Sequence, residues 1–502
     1  MLAVVFALCL ASVASAADRI YWNNLYGNVI SYANLDGSGG ADLPIAASAL
    51  DGPMGEAIDA VHGKIYWANY GVNGGVGTGT SIGVANLDGS DGHLVPITGV
   101  PVVAPHGVAV DPAAGKLYWT NEDTSMGAGT SWIGVSNLDG SGGAFFDPGA
   151  ATMADPRGLA LDKGAGKLYW ANHGGQRVSV ANLSGGGGSD IPTGSAHVQN
   201  PEGVALAPDK KRLYYGNYRE PPDPTGETIS WVDLGGSGGA DLDTGAATRV
   251  EPHGVAIDPA ANRIYWANFD ANVISFASLD GGGGVDLPTP GATKDRPSMP
   301  VILKSPVPTD APDVSGKAKP KAKLSCSRGK WAADLAESLL WRQPSGYTFA
   351  WKKNGNVVPG EASNSLTAHA VGDYQCVVGG INAAGTSYQQ SASFATFKVG
   401  HVKLDPSTGT ATLKVKLPGP GKVSVKGKTV VKERPAAAGS GLRTLSRKVK
   451  GRHAKLLIKP KGKAKRKLLR TGKAKVKATI AYHQKKTGAS GTQKIKIKLK
   501  LR

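Results

Sequence analysis

Apolar and polar residues alternate at every second position through most of this chain. The runs are short and end on Asp-Gly or Gly-rich stretches, as in Ile30-Ser31-Tyr32-Ala33-Asn34-Leu35-Asp36-Gly37. Period-two alternation broken by tight-turn residues describes half-buried strands joined by hairpins, so the chain reads as all-β. The runs recur as a unit. YWNN at Tyr21, YWAN at Tyr66, YWTN at Tyr118, YWAN at Tyr169, YYGN at Tyr214 and YWAN at Tyr265 are spaced by 45, 52, 51, 45 and 51 residues. Copies are preceded by segments such as Pro105-His106-Gly107-Val108-Ala109-Val110-Asp111 and followed by runs such as Val178-Ser179-Val180-Ala181-Asn182-Leu183. One repeat therefore predicts strand A (GVAVD), strand B (KLYW), strand C (VSVANL) and strand D (ADL), which together make one blade of a β-propeller.

The ends of the repeat array predict how the ring closes. The first copy starts at Asp18 directly with strand B, whereas Arg296 to Leu303 aligns with Glu251 to Asp258, a strand A in search of a blade. Closing the ring with that segment gives six blades and removes the free edges that invite aggregation.

The pattern changes after residue 303. Lys304 to Pro312 is Pro-rich and predicts a semi-rigid linker. Asp334 to Trp341 is too apolar for a plain loop and predicts a short helical insertion. From His401 onward small or apolar residues alternate with Lys, as in Lys494-Ile495-Lys496-Ile497-Lys498-Leu499-Lys500, predicting strands with one apolar and one cationic face. The resulting domains are a signal peptide at 1–16, the propeller at 17–305, a linker and sandwich at 306–400 and a basic β domain at 401–502.

Composition and charge sharpen this outline. Met1 to Ala16 is apolar and ends Ala14-Ser15-Ala16, which predicts a cleaved secretion signal, and no later segment is apolar enough to span a membrane. Removing the signal, with its Cys9, leaves Cys326 and Cys376, a pair expected to form one disulfide in an exported chain. The 102 residues from His401 carry 31 Lys and Arg against two acids, a net of +29, while the rest carries 26 bases and 36 acids, a net of −10. A tail so charged calls for an anionic surface or polymer as partner.

Two resemblances follow from these residues. The combination P-x-G-[VL]-A-[VIL]-D, [KR]-[IL]-Y-W-x-[ND] and V-A-N-L-D-G-S resembles the YWTD repeats of LDL-receptor class B six-bladed propellers over residues 18 to 303. That family's Asp is Asn here in every blade, at Asn24, Asn69, Asn121, Asn172, Asn217 and Asn268, which keeps a turn-fixing hydrogen bond but supplies no charge. Cys326, Trp351 and Cys376, each 25 residues from the next, resemble an immunoglobulin-like sandwich, and Tyr374 stands where that fold has its tyrosine corner.

Few motifs carry chemistry. Gly79-Thr80-Ser81-Ile82-Gly83 matches a nucleophile elbow in letters, but it lies at the start of a strand C rather than at a strand-to-helix turn. Gly281 to Asp286 matches a calcium-roll repeat, but at a fifty-residue rather than nine-residue period. Aligning the blades places Met54, His106, Arg157, Glu202, His253 and Ser298 at the channel mouth, and of these His106, Arg157, Glu202 and His253 are the candidate ligand-binding residues. Tyr26, Tyr70 and Tyr218 follow strand B and are candidates for stacking on a ligand. The expected function is a secreted or wall-associated binding protein with a protein or glycan ligand on the propeller and an anionic cell-wall polymer on the tail. No catalytic residue, metal or cofactor is assigned. The alternative is a propeller enzyme of lactonase, hydrolase or lyase type with a channel site. Nucleic acid is disfavoured because Tyr482 is the single aromatic residue from His401 onward.

Overall fold

The computed structural model describes residues 18–122, 131–218, 227–236, 238–427 and 446–502. The expected signal segment lies outside them. Two compact units are present: Met1–Val307 with Ala332–Gly346 and Ile381–Thr386, and Pro308–Trp331 with Tyr347–Gly380 and Ser387–Arg502.

The first unit holds six sheets with four antiparallel strands each, the first extended by a fifth, parallel strand. Blades two to six open on Pro53–Asp59, Pro105–Asp111, Pro156–Asp162, Pro201–Ala207 and Pro252–Asp258. The first blade takes strand A from Pro297–Leu303, which pairs antiparallel with Arg19–Asn24, Ile20 opposite Ile302. Each strand A packs against the strand A on either side, so the ring is closed. This is a six-bladed β-propeller.

Two local devices build strand A. The residue before its proline is left-handed in every blade, Gly52 at φ 60°, Ala104 at 39°, Asp155 at 49°, Asn200 at 45°, Glu251 at 48° and Arg296 at 60°. The proline then fixes the chain's entry into the strand. Two residues later comes a bulge, with glycine in blades two to six, as between Pro105 and Val108, and with Met299 at φ 38° in the first. A Cβ on Gly158 would stand 2.5 Å from Gly203 Cα, and one on Gly203 2.4 Å from Gly254 Cα, so glycine is needed where these strands meet at the axis.

The Asn of each YW motif is a two-way connector. Its Oδ1 accepts the N–H of the segment entering its own blade, Ala154 to Asn172 at 3.0 Å and Val250 to Asn268 at 3.0 Å, for example. In blades one, four, five and six its Nδ2 donates to a strand C serine, and that serine donates to a strand D aspartate. Asn172, Ser179 and Asp190 are linked at 2.8 and 2.6 Å, and Asn268, Ser275 and Asp286 at the same distances. An aspartate in place of the Asn would be an acceptor only and would break this directional chain. In blades two and three glycines, Gly83 and Gly134, replace the serine, and the residues opposite are Leu94 and Phe145 instead of an acid.

The channel is closed at its far end by the later segments of this unit. Leu340–Trp341 pairs in parallel with Ile302 and Leu303, and the 3-10 turn Ala336–Ser338 donates from Ser338 Oγ to Leu206 O. Leu339 then faces Glu56, Val108, Leu159, Val204, Val255 and Met299 around a void of only about 10 Å³. Glu56 is 3 % exposed and neither carboxylate oxygen has a hydrogen-bond partner, so burial pushes its pKa well above the usual range. The stretch expected as a linker is partly held: Lys304 Nζ bonds Asp258 at 2.6 Å, and Pro308–Asp310 forms a short strand with Lys330–Trp331.

In the second unit Cys326 and Cys376 form a disulfide across two sheets, with buried Trp351 packed in the same core and Tyr374 donating to Ala370 O at 3.0 Å. Beyond it lies a sandwich. One sheet comprises Lys398–Asp405, Thr410–Lys416 and His453–Ile458; the other includes Ser490–Lys500, Lys473–Gln484, Gly421–Lys426 and Ser446–Val449. Leu413, Val415, Leu456, Val476, Ile480 and Leu499 fill the space between. The tail is not strands alone, because Gly462–Thr471 is an α-helix. Its Lys, Ala, Leu and Arg content favours helix, and Ala464 and Leu468, one turn apart, make its buried stripe.

Candidate functional site

The end of the propeller where strand A begins collects three concentric sets of side chains, one from each blade. The bulge in strand A turns the residue before its glycine, or before Met299 in the first blade, toward the axis, and these are Ser298, Met54, His106, Arg157, Glu202 and His253, in blade order. The residue after each YW motif supplies Leu25, Tyr70, Glu122, His173, Tyr218 and Phe269. The left-handed residue before proline supplies Arg296, Gly52, Ala104, Asp155, Asn200 and Glu251.

The four expected site residues do come together. Arg157 lies against His106 Nε2, and Glu202 Oε1 is 4.0 Å from Arg157 Nη1 and 3.7 Å from His253 Nε2. All four are buried, His106 fully. Their partners were not legible as site residues one by one. Arg157 grips Asp155 with two donors at 3.0 and 2.9 Å and stands 3.4 Å from Glu122, while His173 bridges Asp155 at 3.0 Å and Glu202 at 3.3 Å. The signal that finds them is the repeat itself, since each stands at a fixed offset from an invariant Pro or Asn of its blade.

Burial and this wiring set the protonation states. Burial, with Arg157 beside it, pushes His106 well below the usual imidazole range, and burial takes His253 down to about 4. Both rings are neutral near pH 7. A guanidinium only donates, so His106 Nε2 accepts and its proton sits on Nδ1. Against its burial, the His173 hydrogen bond and the Arg157 charge hold Asp155 at about 2, whereas burial raises Glu122. Among the described residues no group of three or more His, Cys, Asp and Glu is arranged to hold a metal ion.

The mouth is divided. Leu25, Met54 and Phe269 form an apolar patch with Tyr70 and Val72 over blades six, one and two, while the buried charged cluster is drawn from blades three to five with His253 of blade six, and Arg296 with Glu251 and Asp270 makes a second ion-pair group at the rim beside the patch. Tyr70 joins the two sectors by donating to Glu122 Oε2 at 3.0 Å, and Tyr218 packs against His173 and His253 with ring centroids 5.8 and 5.7 Å apart. Tyr26 is not the equivalent of these: Leu25 takes that position, and Tyr26 lies one residue further out, half exposed under Arg296.

No family model matches the chain. Among curated proteins it is similar to low-density lipoprotein receptor-related protein 5 of Mus musculus, 32% identical over 102 residues, which is 20% of this chain and 6% of that protein. It is also similar to low-density lipoprotein receptor-related protein 1 of Pyricularia oryzae, 35% identical over 92 residues, 18% of this chain and 29% of that protein. Protein cueball of Drosophila erecta is 29% identical over 124 residues, 24% of this chain and 18% of that protein. The chain thus spans less than a third of each relative's length, and the likeness supports a propeller of LDL-receptor class B type. Among solved structures, a chain of the nidogen/laminin complex matches at a TM-score of 0.44 and 15% identity, covering 57% of this chain and 98% of its own. Hydrazine synthase of Kuenenia stuttgartiensis matches at 0.35 and 15%, covering 51% and 72%.

Proposed function

We propose that this is an extracellular binding protein whose propeller mouth receives a protein or glycan ligand, while an immunoglobulin-like module and the basic C-terminal module tether it to anionic cell-wall polymer. The observation that carries this is the divided mouth. An apolar patch beside a charged cluster, over a channel closed from below, suits contact with an amphipathic surface rather than passage of a substrate through the ring. The disulfide fits an oxidising compartment, and the likeness to receptor-related propellers supports an extracellular setting.

The test uses the full chain on a glycan array and on extracts of surface proteins. Tyr70→Ala and His173→Ala, which cut into the apolar and charged sectors respectively, should each weaken the captured ligand about tenfold, the loss of roughly 1.4 kcal/mol that one good interface contact supplies. Capture that survives both substitutions unchanged places the ligand elsewhere. For the tether, retention on isolated walls should fall steeply as salt rises.

A further inference from the structure

The outer faces of the C-terminal sandwich carry a regular charge lattice. In the larger sheet Lys473 stands directly opposite Lys500, Lys475 opposite Lys498 and Lys477 opposite Lys496. Further along, Lys422 faces Lys448 across the neighbouring pair of strands. On the smaller sheet Lys414 is opposite Lys455, and Lys416 lies between Lys398 and His453. These side chains are exposed, while the residues alternating with them point into the shared core. Asp405 is the one acid on either described face.

Like charges placed directly across an antiparallel pair destabilise it. A sheet that only needed a soluble face would alternate Lys with Glu and gain from cross-strand attraction. Here the opposed lysines recur row after row, which points to an outside partner that supplies the missing negative charge. Rows lie two residues apart along the strand, about 6.8 Å, within a Debye length of about 8 Å, so successive rows act as one continuous field. Lysine is a compact point charge that suits phosphate without demanding a shaped pocket. The lattice also contains a cradle: Ser424, Ala481, Ser490 and Thr492 floor a depression of about 570 Å³ between Lys422 and Lys426. Beside the smaller sheet a second depression, of about 710 Å³, is walled by Lys414, Lys448, Lys450 and Lys455.

The two lattices meet at one edge, where Lys448 of the larger sheet and Lys414 and Lys455 of the smaller wall the same depression, but the Lys475, Lys496 and Lys498 rows lie across the apolar core from the Lys414 and Lys455 row, so a short chain lying on one does not reach the other. We infer that the sandwich is a two-sided clamp, each face holding a separate phosphodiester polymer chain, so that one protein ties two chains together. This rests on the tethering role proposed above and adds its valency and the chemistry of its partner. A nucleic acid strand shares the phosphate spacing, but of the aromatic rings lining the larger sheet's depression Tyr482 is 2 % exposed with its hydroxyl bonded to Gly419 O and Phe394 is half-buried, a poor platform for stacking bases.

The experiment titrates the full-length protein with a short linear polyphosphate at low salt and measures stoichiometry by calorimetry, then follows light scattering with long-chain polyphosphate. Two sets of exposed residues are neutralised: Lys475→Gln with Lys496→Gln and Lys498→Gln on the larger sheet, and Lys414→Gln with Lys416→Gln and Lys455→Gln on the smaller. The native protein should bind two short chains and cross-link the long polymer. Each single-face variant should bind one chain at unchanged affinity and fail to cross-link. One chain bound by the native protein, lost entirely in one variant and retained in the other, would overturn the two-sided clamp while leaving the tether intact. No binding by the native protein would overturn both. A single-stranded oligonucleotide bound more tightly than polyphosphate of equal charge would overturn the assignment of the partner. Thermal unfolding of each variant, expected unchanged or slightly raised, separates loss of binding from loss of fold.

Discussion

The propeller mouth and the C-terminal sandwich both concentrate charge, and they treat it in opposite ways. At the mouth Arg157, Asp155, Glu122, Glu202 and His173 face one another, Arg157 and Glu202 buried and the other three partly open to solvent. On the sandwich lysines of one sign face outward in rows. The first arrangement uses charge to fix side-chain positions, because a buried ion that loses its partner is costly. The second uses charge to reach outward, because exposed charges sum into a field that salt can screen. Charge density alone therefore says little about role; what decides is whether the compensating charge lies inside the molecule or outside it.

Five variants can break or sharpen this contrast. Arg157→Ala should have the largest effect, costing about 3–5 kcal/mol of stability, since it strands three carboxylates. Denaturant midpoints should show that loss at low and high salt alike, and a strongly salt-dependent loss would mean the cluster is wetter than its burial implies. Asn172→Asp should cost about 2–3 kcal/mol by removing the donor to Ser179 and setting a second carboxylate near Asp190. The same change in a blade that lacks the serine, Asn121→Asp, should cost less, and equal losses would argue against the relay. Glu56→Leu should stabilise the propeller by about 1–3 kcal/mol at neutral pH. Its sign with pH is specific. The folded carboxyl holds its proton to a higher pH than the unfolded one, so native stability falls as pH rises from about 4.3 toward the raised value, and the advantage of Leu should grow over that window and level off below it at the smaller cost of burying an unpaired neutral carboxyl. The three-lysine change on the larger sheet should move stability by no more than about 0.5 kcal/mol while abolishing polymer cross-linking and leaving the salt-sensitive retention that the smaller sheet supplies. A clear stability loss there would mean the lysines are structural.

The repeat made much of the fold legible. Alternation located the strands, and the missing strand A before Asp18 located the closing segment at Pro297–Leu303. Other features escaped because they depend on tertiary context. The Gly462–Thr471 helix sits in a Lys-rich stretch where short alternation and helical spacing cannot be told apart, and Ala464 and Leu468 select helix only through the core they meet. The role of Leu339 was not visible at all, since the cavity it fills is made by six strands, one from each blade, distant from it in sequence. At the mouth, His106, Arg157, Glu202 and His253 could be found by aligning blades, but the ion-pair partners Asp155, Glu122 and His173 lie at two other offsets of the same alignment. Reading those columns as well would have shown the division of the mouth into apolar and charged sectors.

The closing segment and the plug also impose an order of events on the nascent chain. Strand B of the first blade, Arg19–Asn24, leaves the ribosome early, yet its partner on one side is Pro297–Leu303, and the channel is sealed only when Ala332–Gly346 and Ile381–Thr386 have followed. At about 5–20 residues per second, that strand edge waits on the order of half a minute for its mate. Five blades can assemble meanwhile, each from contiguous sequence, but the ring stays open at one seam. Any factor that keeps the chain from associating with its neighbours must therefore protect the first blade longest, and a mutation that slows arrival of the seam strand harms yield before it harms the finished protein.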